Sequence, residues 1–209
     1  MGNCLKHYFK KRIIIENIIY KTDRSIIYKA KDKKKNIYIS KKFLNEVNAK
    51  NEIYCYTVLT KFKYIYIPEY YGHYVNNNKI CILLRYYPNT LFTYINLNNN
   101  LDLKTIINIF KKILISIYLL HSCNIVHRDL KTQNILICGD DNMIKIIDFE
   151  FSYSMNNRNN IKGSTFIYSS PEYIENDFIF YDKSIDYWSL GLILYYMCTN
   201  THLFTSLKL

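Results

Sequence analysis

The first 86 residues alternate short apolar runs with polar stretches. The runs "IIIENIIY", "SIIYKA" and "NIYIS", between Ile13 and Ile39, are rich in Ile and Tyr, which is typical of antiparallel strands. A helix is expected at about residues 45–61. The stretches "YIYIPEYYGHYV" and "KICILLRYY" then predict two more strands, joined by a turn at "NNNK". The pattern therefore predicts a small sheet with one helix.

The pattern after Pro88 is mainly helical. In "LDLKTIINIFKKILISIYLLHSC" apolar residues recur three and four positions apart, and Asp102 is the expected N-cap. The predicted buried face comprises Ile106, Ile109, Phe110, Ile113, Leu114, Ile117 and Leu120. Two short strands, "NILIC" and "MIKIID", flank the turn "GDDN", and a last helix is expected at about residues 187–199. We therefore predict an α+β fold with a sheet-rich lobe over residues 13–86 and a mainly helical lobe over residues 87–209.

The net charge of +11 is concentrated near the N-terminus. Residues 1–42 contain 13 Lys and Arg against 3 acidic residues, whereas the rest of the chain is almost neutral. Such a segment can meet anionic lipid, nucleic acid or acidic protein, or can be a solvated lysine-rich surface. We expect no specific nucleic-acid partner. The six cysteines are scattered without metal-binding or disulfide spacing, which favours a reducing compartment.

The N-terminus raises the question of membrane association. No apolar run reaches the roughly 18 residues that span a bilayer, and an apolar signal-peptide core is absent, so a cytoplasmic location is expected. In the basic N-terminal segment, residues 1–12, Gly2 is a candidate for acylation after removal of Met1, and Cys4 for a second lipid chain. Lys6 stands where Ser or Thr is usual. Two lipids, or one lipid with the neighbouring basic side chains, would hold the protein at a membrane surface.

The stretch "HRDLKTQN", residues 127–134, places a carboxylate, an ammonium group and an amide just before a predicted strand. Phosphoryl transfer to a hydroxyl requires a base, cations along the phosphates and ligands for those cations. Asp129 can accept the proton, Lys131 can neutralise charge on the transferred group, and Asn134 can supply a metal ligand. Asp148 ends the second strand of the following hairpin, so we expect it to return beside this loop as a second ligand. Oxygen ligands of this kind suit Mg²⁺.

These residues belong to a set of motifs that resembles the eukaryotic-type protein kinase family. "HRDLKTQN" is similar to its catalytic loop, "IIDFE" to its metal-binding segment, "STFIYSSPE" to the end of its activation segment, and "DYWSLGLILYYM" to a buried helix of its large lobe. The resemblance covers the chain from about Ile13 onward. It implies a bilobal fold with an antiparallel-sheet N-lobe and a mainly helical C-lobe. Since the sequence ends with "TNTHLFTSLKL", we expect the C-lobe to lack its last helices.

The resemblance also implies ATP and Mg²⁺ as cofactors and a protein as substrate. It makes Asp129 the base, Lys131 the cation beside the transferred phosphate, and Asn134 and Asp148 the Mg²⁺ ligands. A lysine two positions after the base resembles the catalytic loop of family members that act on Ser and Thr rather than on Tyr.

Two supporting contacts are expected around the catalytic loop. Thr165 should contact Asp129 and Lys131 beneath the substrate hydroxyl. Asp186 and Trp188 should hold the loop from below.

The small lobe departs from the family pattern at its glycine-rich turn. Alignment places Tyr20, Thr22 and Ser25 at the three glycine positions. Side chains there should hold the turn away from a nucleotide, although the Thr22 and Ser25 hydroxyls could donate hydrogen bonds in place of backbone N–H groups. Glu150 replaces the glycine of the metal-binding triplet, which should restrict movement of that segment.

The lysine that would bind the nucleotide phosphates is ambiguous. An ungapped alignment from Ser25 selects Lys42 and places Ser40 beside the adenine, whereas Lys41 requires one deletion and places Ile39 there. The ungapped alignment favours Lys42. Its expected helix partner is Glu52, with Glu46 as the alternative.

The sequence thus favours ATP-dependent phosphoryl transfer to Ser and Thr of proteins. A second interpretation is a pseudokinase that binds nucleotide or protein without useful turnover, because the loop glycines are absent. A third is a small-molecule phosphotransferase, which shares the spaced Asp and Asn and the "IDFE" strand end. The activation-segment motif and Lys131 argue against that third class, since they serve an extended peptide.

Overall fold

The computed structural model describes residues 13–98, 101–139, 141–154, 163–175 and 182–204. Residues 1–12 lie outside this part of the chain, so acylation at Gly2 and Cys4 and a membrane contact of the basic segment stay predictions. Among the described residues, no helix combines the length and the apolar character that crossing a membrane requires.

Five antiparallel strands form the sheet of the small lobe. They are β1 (Ile14–Lys21), β2 (Ser25–Lys31), β3 (Ile37–Phe43), β4 (Tyr70–Asn76) and β5 (Lys79–Arg85). Their spatial order is β1-β2-β3-β5-β4, so β3 is central and β1 is an exposed edge. Helix α1 (Glu46–Lys61) contacts β3, β4 and β5. Asn45 caps this helix by accepting a hydrogen bond from the N–H of Val47 at 2.8 Å.

The large lobe is built around helix α3 (Leu103–Ser122). Asp102 is its N-cap, as predicted, and accepts the N–H of Thr105 at 2.9 Å. The predicted face is buried at Ile106, Ile109, Ile113, Ile117 and Leu120. Leu114 is 43% exposed, so the buried stripe is narrower than predicted.

Three more helices and five short strands of the described residues complete the large lobe around α3. The helices are α2 (Leu91–Leu97), α4 (Pro171–Glu175) and α5 (Ser184–Thr199), and the strands are β6 (Asn89–Thr90), β7 (Ile125–Val126), β8 (Ile135–Cys138), β9 (Met143–Ile146) and β10 (Tyr153–Ser154). Strands β8 and β9 form the predicted antiparallel hairpin, and β6 pairs with the other edge of β8. Strand β7 pairs with β10, which ties the start of the catalytic-loop segment to the residues that follow the hairpin.

One hydrophobic cluster runs through both lobes. Phe43, Tyr56 and Ile82 of the small lobe belong to the same cluster as Ile113 and Ile135 of the large lobe, and all five are 1% exposed or less. Because the two lobes share this core, the cleft between them has a packed floor.

Two element boundaries differ from the sequence prediction, and one helix was not predicted. Strand β4 begins at Tyr70, whereas its predicted run began six residues earlier, because Tyr64 and Tyr66 bind the large lobe instead. The Tyr64 hydroxyl donates to the carbonyl of Ser116 at 2.7 Å. Helix α5 begins at Ser184, before the predicted start, and helix α2 was not predicted.

Candidate active site

A buried aspartate of α5 fixes the backbone of the loop after β7. Asp186 accepts the N–H groups of His127 and Arg128, each at 2.8 Å, through its two carboxylate oxygens. Arg128 has a φ of 71°, a left-handed conformation that few residues other than glycine adopt. The expected support by Asp186 is therefore confirmed. Trp188 takes no such part, since it is 37% exposed and its ring stacks on Phe204.

The side chains of this loop form a compact hydrogen-bonded cluster. Lys131 Nζ lies 2.8 Å from Asp129 Oδ2 and 2.7 Å from Thr165 Oγ1. The Thr165 hydroxyl donates to Asp129 Oδ1 at 2.7 Å, so the predicted contacts of Thr165 are confirmed. The Asn134 amide nitrogen donates to the backbone oxygen of Asp129 at 2.8 Å. Asp129 is thus held on both oxygens at the floor of the cleft.

The β8–β9 hairpin returns the chain to this loop, as predicted. The N–H of Ile147 donates to the carbonyl of Asn134 at 3.0 Å, and His127 Nε2–H donates to the carbonyl of Ile147 at 3.0 Å. The next residue, Asp148, has a φ of 70°, a conformation that Asp tolerates better than most residues. Phe149 follows and is fully buried. These restraints direct Asp148 into the cleft and Phe149 into the core.

A buried ammonium group joins the two lobes. Lys41 Nζ lies 2.6 Å from Glu52 Oε2, 2.5 Å from Asp148 Oδ1 and 3.4 Å from Glu150 Oε2. Burial disfavours the charged lysine, but the carboxylates of Asp148, Glu52 and Glu150 outweigh it and raise the pKa of Lys41. Burial also disfavours ionised Asp148, yet the Lys41 ammonium lowers the pKa of Asp148 below its ordinary value. Glu46, the alternative partner, is exposed.

The structure corrects the preference for Lys42. Successive side chains of a strand point to opposite faces, and in β3 the face of Lys41 is the one that meets Glu52. Lys42 therefore lies on the other face, together with Ser40, whose hydroxyl is 2.7 Å from the Tyr74 hydroxyl. Ile39 lines the cleft and Ser40 does not. The alignment with one deletion is the one that fits the fold.

Glu150 is drawn into the cleft by two cations. Its Oε1 accepts a hydrogen bond from Arg24 Nε at 3.0 Å, and its Oε2 faces Lys41. Arg24 lies in the turn between β1 and β2, and its guanidinium is 4.7 Å from the centre of the Phe151 ring. Burial raises the pKa of Glu150, although Lys41 and Arg24 oppose this effect. Glu150 thus links the small lobe to the metal-binding segment.

Asn51 of α1 also holds this segment, and the sequence did not reveal it. Its side-chain nitrogen faces the carbonyl oxygens of Phe149, Glu150 and Ser152 at 3.2, 3.2 and 2.7 Å. Its one sequence signal is a spacing of three or four residues from other buried positions of the helix. That spacing marks a buried polar residue without naming its partner.

The cleft between the lobes has a volume of about 590 Å³, a size usual for small-molecule sites. Its lining includes the predicted residues Lys41, Glu52, Asp129, Lys131, Asn134, Asp148 and Thr165. The predicted convergence of these side chains is therefore confirmed. Tyr20, Thr22 and Ser25, at the glycine positions, form part of its roof.

The donors of this cleft fit Mg²⁺. Asp148 offers a carboxylate, and because the Asn134 nitrogen donates to Asp129, the Asn134 amide oxygen is the atom left as a ligand. A second group of oxygens, from Glu52, Asp148 and Glu150, also lies in this cleft, and these oxygens are within 4.8 Å of one another. That group surrounds the Lys41 ammonium, which occupies the position that a metal ion would take between these carboxylates. We therefore assign the candidate metal position to Asp148 and Asn134.

Comparison with known proteins agrees with this geometry. A model of the protein kinase domain matches residues 17–208, which is most of the chain. The chain belongs to the protein kinase domain family. It is 35% identical over 150 residues to the serine/threonine-protein kinase Nek8 of Danio rerio, covering 68% of this chain and 21% of that protein.

Two further relatives carry similar descriptions. The serine/threonine-protein kinase TIO of Arabidopsis thaliana is 33% identical over 142 residues, covering 66% of this chain and 10% of that protein. A probable serine/threonine-protein kinase of Dictyostelium discoideum is 30% identical over 210 residues, covering 90% of this chain and 44% of that protein. The chain thus spans less than half the length of each of these relatives.

Proposed function

We propose that this kinase domain transfers the γ-phosphoryl group of ATP to Ser and Thr hydroxyls of proteins. The observation that carries the proposal is the cluster of Asp129, Lys131 and Thr165 on the floor of the cleft that Asp148 and Lys41 also line. With Asn134, which lines the same cleft, this arrangement combines a base, two cations and two metal ligands, which is the set that phosphoryl transfer requires. The relatives, which are described as serine/threonine-protein kinases, support the same substrate class.

Each residue has a defined task in this reaction. The substrate hydroxyl binds beside Asp129, which accepts its proton as the new oxygen–phosphorus bond forms and the bond to the bridging oxygen of ATP breaks. Lys131 lies 2.8 Å from Asp129 and stabilises negative charge on the transferred group. Asp148 and Asn134 would hold Mg²⁺. When bound, that ion neutralises charge on the phosphate oxygens.

Lys41 would contact both a bound nucleotide and Glu52 of helix α1. Its ammonium can bind phosphate oxygens, while Glu52 holds it in the cleft at 2.6 Å. The 1% exposure of Glu52 keeps water from competing for this contact. We infer that Lys41, not Lys42, performs this role.

One observation favours the alternative of a pseudokinase. The turn between β1 and β2 carries side chains in place of glycines, and its Thr22 hydroxyl is used inside the turn rather than offered to the cleft. Weak nucleotide binding without transfer would follow if no other group replaced those contacts.

Acceptor specificity tests the proposal. We expect the domain, with Mg²⁺ and labelled ATP, to modify peptides carrying Ser or Thr and not otherwise identical peptides carrying Tyr. The reason is that Lys131 and Thr165 lie within 2.8 Å of the Asp129 carboxylate and fill the space beside it, which suits a short acceptor side chain rather than a tyrosine ring. Phosphoamino-acid analysis is the measurement, and peptides with Ala at the acceptor position are the control. Predominant phosphotyrosine would contradict the proposal.

A further inference from the structure

The turn between β1 and β2 uses its own backbone N–H groups internally. The Thr22 N–H donates to the carbonyl of Ser25 at 2.9 Å, and the N–H groups of Arg24 and Ser25 donate to the Thr22 hydroxyl at 3.2 and 3.0 Å. A Thr hydroxyl that closes a turn in this way takes the donors that a phosphate would otherwise bind. The backbone N–H groups of these three residues are therefore already used within the turn and are not available to bind the phosphates of a nucleotide.

The same turn instead presents a guanidinium group to the cleft. Arg24 lines the cleft together with Lys41 and Asp148, and its side chain is 43% exposed. Its Nε–H donates to Glu150 at 3.0 Å, and the ring of Phe151 lies 4.7 Å from the guanidinium carbon. A guanidinium has five N–H donors, of which this bond uses one. The contact with Glu150 thus orients Arg24, and the N–H groups of its two terminal nitrogens are not used by this bond.

The other cations of this part of the cleft are more heavily engaged. The Lys41 ammonium contacts three carboxylates, and Lys131 contacts Asp129 and Thr165. Arg24 has one short contact to a carboxylate, that of Glu150 at 3.0 Å, and its Nη1 lies 4.0 Å from the exposed carboxylate of Asp23. A planar guanidinium pairs with phosphate oxygens through two parallel hydrogen bonds. Arg24 is therefore better suited than Lys41 or Lys131 to bind a phosphate group in this part of the cleft.

We propose that Arg24 binds the phosphate groups of the nucleoside triphosphate, in place of the backbone N–H groups of a glycine-rich turn, and that Glu150 and Phe151 hold it over the cleft. This inference rests on the proposed function, because it requires a nucleotide in the cleft. It also answers the observation that favoured a pseudokinase, since a side chain supplies the contact that the turn withholds.

Binding of MgATP and of adenosine to wild type and Arg24→Gln, measured by titration calorimetry, tests the proposal. We expect Arg24→Gln to weaken MgATP binding by about 10- to 100-fold, the usual effect of losing a charge-assisted hydrogen bond, and to leave adenosine binding unchanged. Lys21→Gln is the matched control, because it removes the same charge from an exposed position one residue before the turn. We expect it to bind both ligands as wild type does.

The outcomes separate this proposal from the proposed function. If Arg24→Gln binds MgATP as tightly as Lys21→Gln, or loses adenosine affinity to the same extent, Arg24 does not bind phosphate, although the nucleotide site stands. If Arg85→Gln, at the other arginine among the described residues that line the cleft, causes the selective loss instead, the phosphate-binding role belongs to Arg85. If the wild type binds neither ligand, the nucleotide site itself is wrong and the role of Arg24 falls with it.

Discussion

Replacing Asp129 with Asn should lower kcat for phosphate transfer by about 100- to 10,000-fold, the usual contribution of a general base. The substitution keeps the size of the side chain and one oxygen for Lys131 Nζ, which lies 2.8 Å from the carboxylate in the wild type. An amide cannot accept the proton of the substrate hydroxyl. The affinity for MgATP should stay close to that of the wild type, because the roof of the cleft is unchanged.

Steady-state transfer to a Ser peptide measures this effect. The matched control is Asp141→Asn, the same chemical change at an exposed position in the β8–β9 turn. Thermal unfolding of both variants shows whether the fold is intact. A rate for Asp129→Asn equal to that of the control would mean that Asp129 is not the base.

Replacing Lys41 with Met should lower kcat/KM by at least about 100-fold, whereas Lys42→Met should leave it near the wild-type value. Lys41 is the only one of the two adjacent lysines that contacts Glu52 and Asp148. Met preserves much of the volume of the side chain but removes the ammonium, so it removes the contact to phosphate oxygens and leaves the carboxylates facing one another. Transfer rates over a range of ATP concentrations provide the measurement.

The same substitution should reduce stability. Removing one partner of a buried ion pair costs about 3–5 kcal/mol, so Lys41→Met should shift the urea midpoint well below that of Lys42→Met. Lys41→Arg retains the charge in the cleft and serves as the folded reference if Lys41→Met is too unstable to assay. A greater loss of kcat/KM in Lys42→Met than in Lys41→Arg would restore the ungapped alignment.

The sequence predicts those parts of the fold that depend on local periodicity. The buried stripe of α3 and its cap at Asp102 follow from spacing within 20 residues, and so does the β8–β9 hairpin. The run from Tyr64 to Tyr70 misleads, because its aromatic residues look like a strand but serve to join the lobes. The N–H of Ile146 in β9 donates to the carbonyl of Tyr66 at 2.6 Å, a contact between residues that are far apart in the chain.

The candidate site likewise contains residues that the sequence predicts and residues that only the structure identifies. Asp129, Lys131 and Asn134 lie in one short loop, so their spacing alone predicts that they act together. The choice between Lys41 and Lys42 depends on which face of β3 meets α1, and the spacing of the preceding strands does not determine this. The three-dimensional structure is needed for such residues.

The bond between Arg24 and Glu150 illustrates this limit most clearly. It joins a residue of the turn that lacks its glycines to the residue that replaces the glycine of the metal-binding triplet, 126 positions further along the chain. Only the folded chain brings the cation and the carboxylate together. Their opposite charges then hold the turn and the metal-binding segment together.

Transfer of labelled phosphate from ATP to Ser and Thr peptides, with Mg²⁺ added, removed by EDTA and restored, tests the central claim most directly. The claim is that one cleft unites the base Asp129 with the metal ligands Asn134 and Asp148. We predict transfer that stops with EDTA and returns with Mg²⁺. Nucleotide binding without transfer at any Mg²⁺ concentration, in the folded wild-type protein, would contradict it.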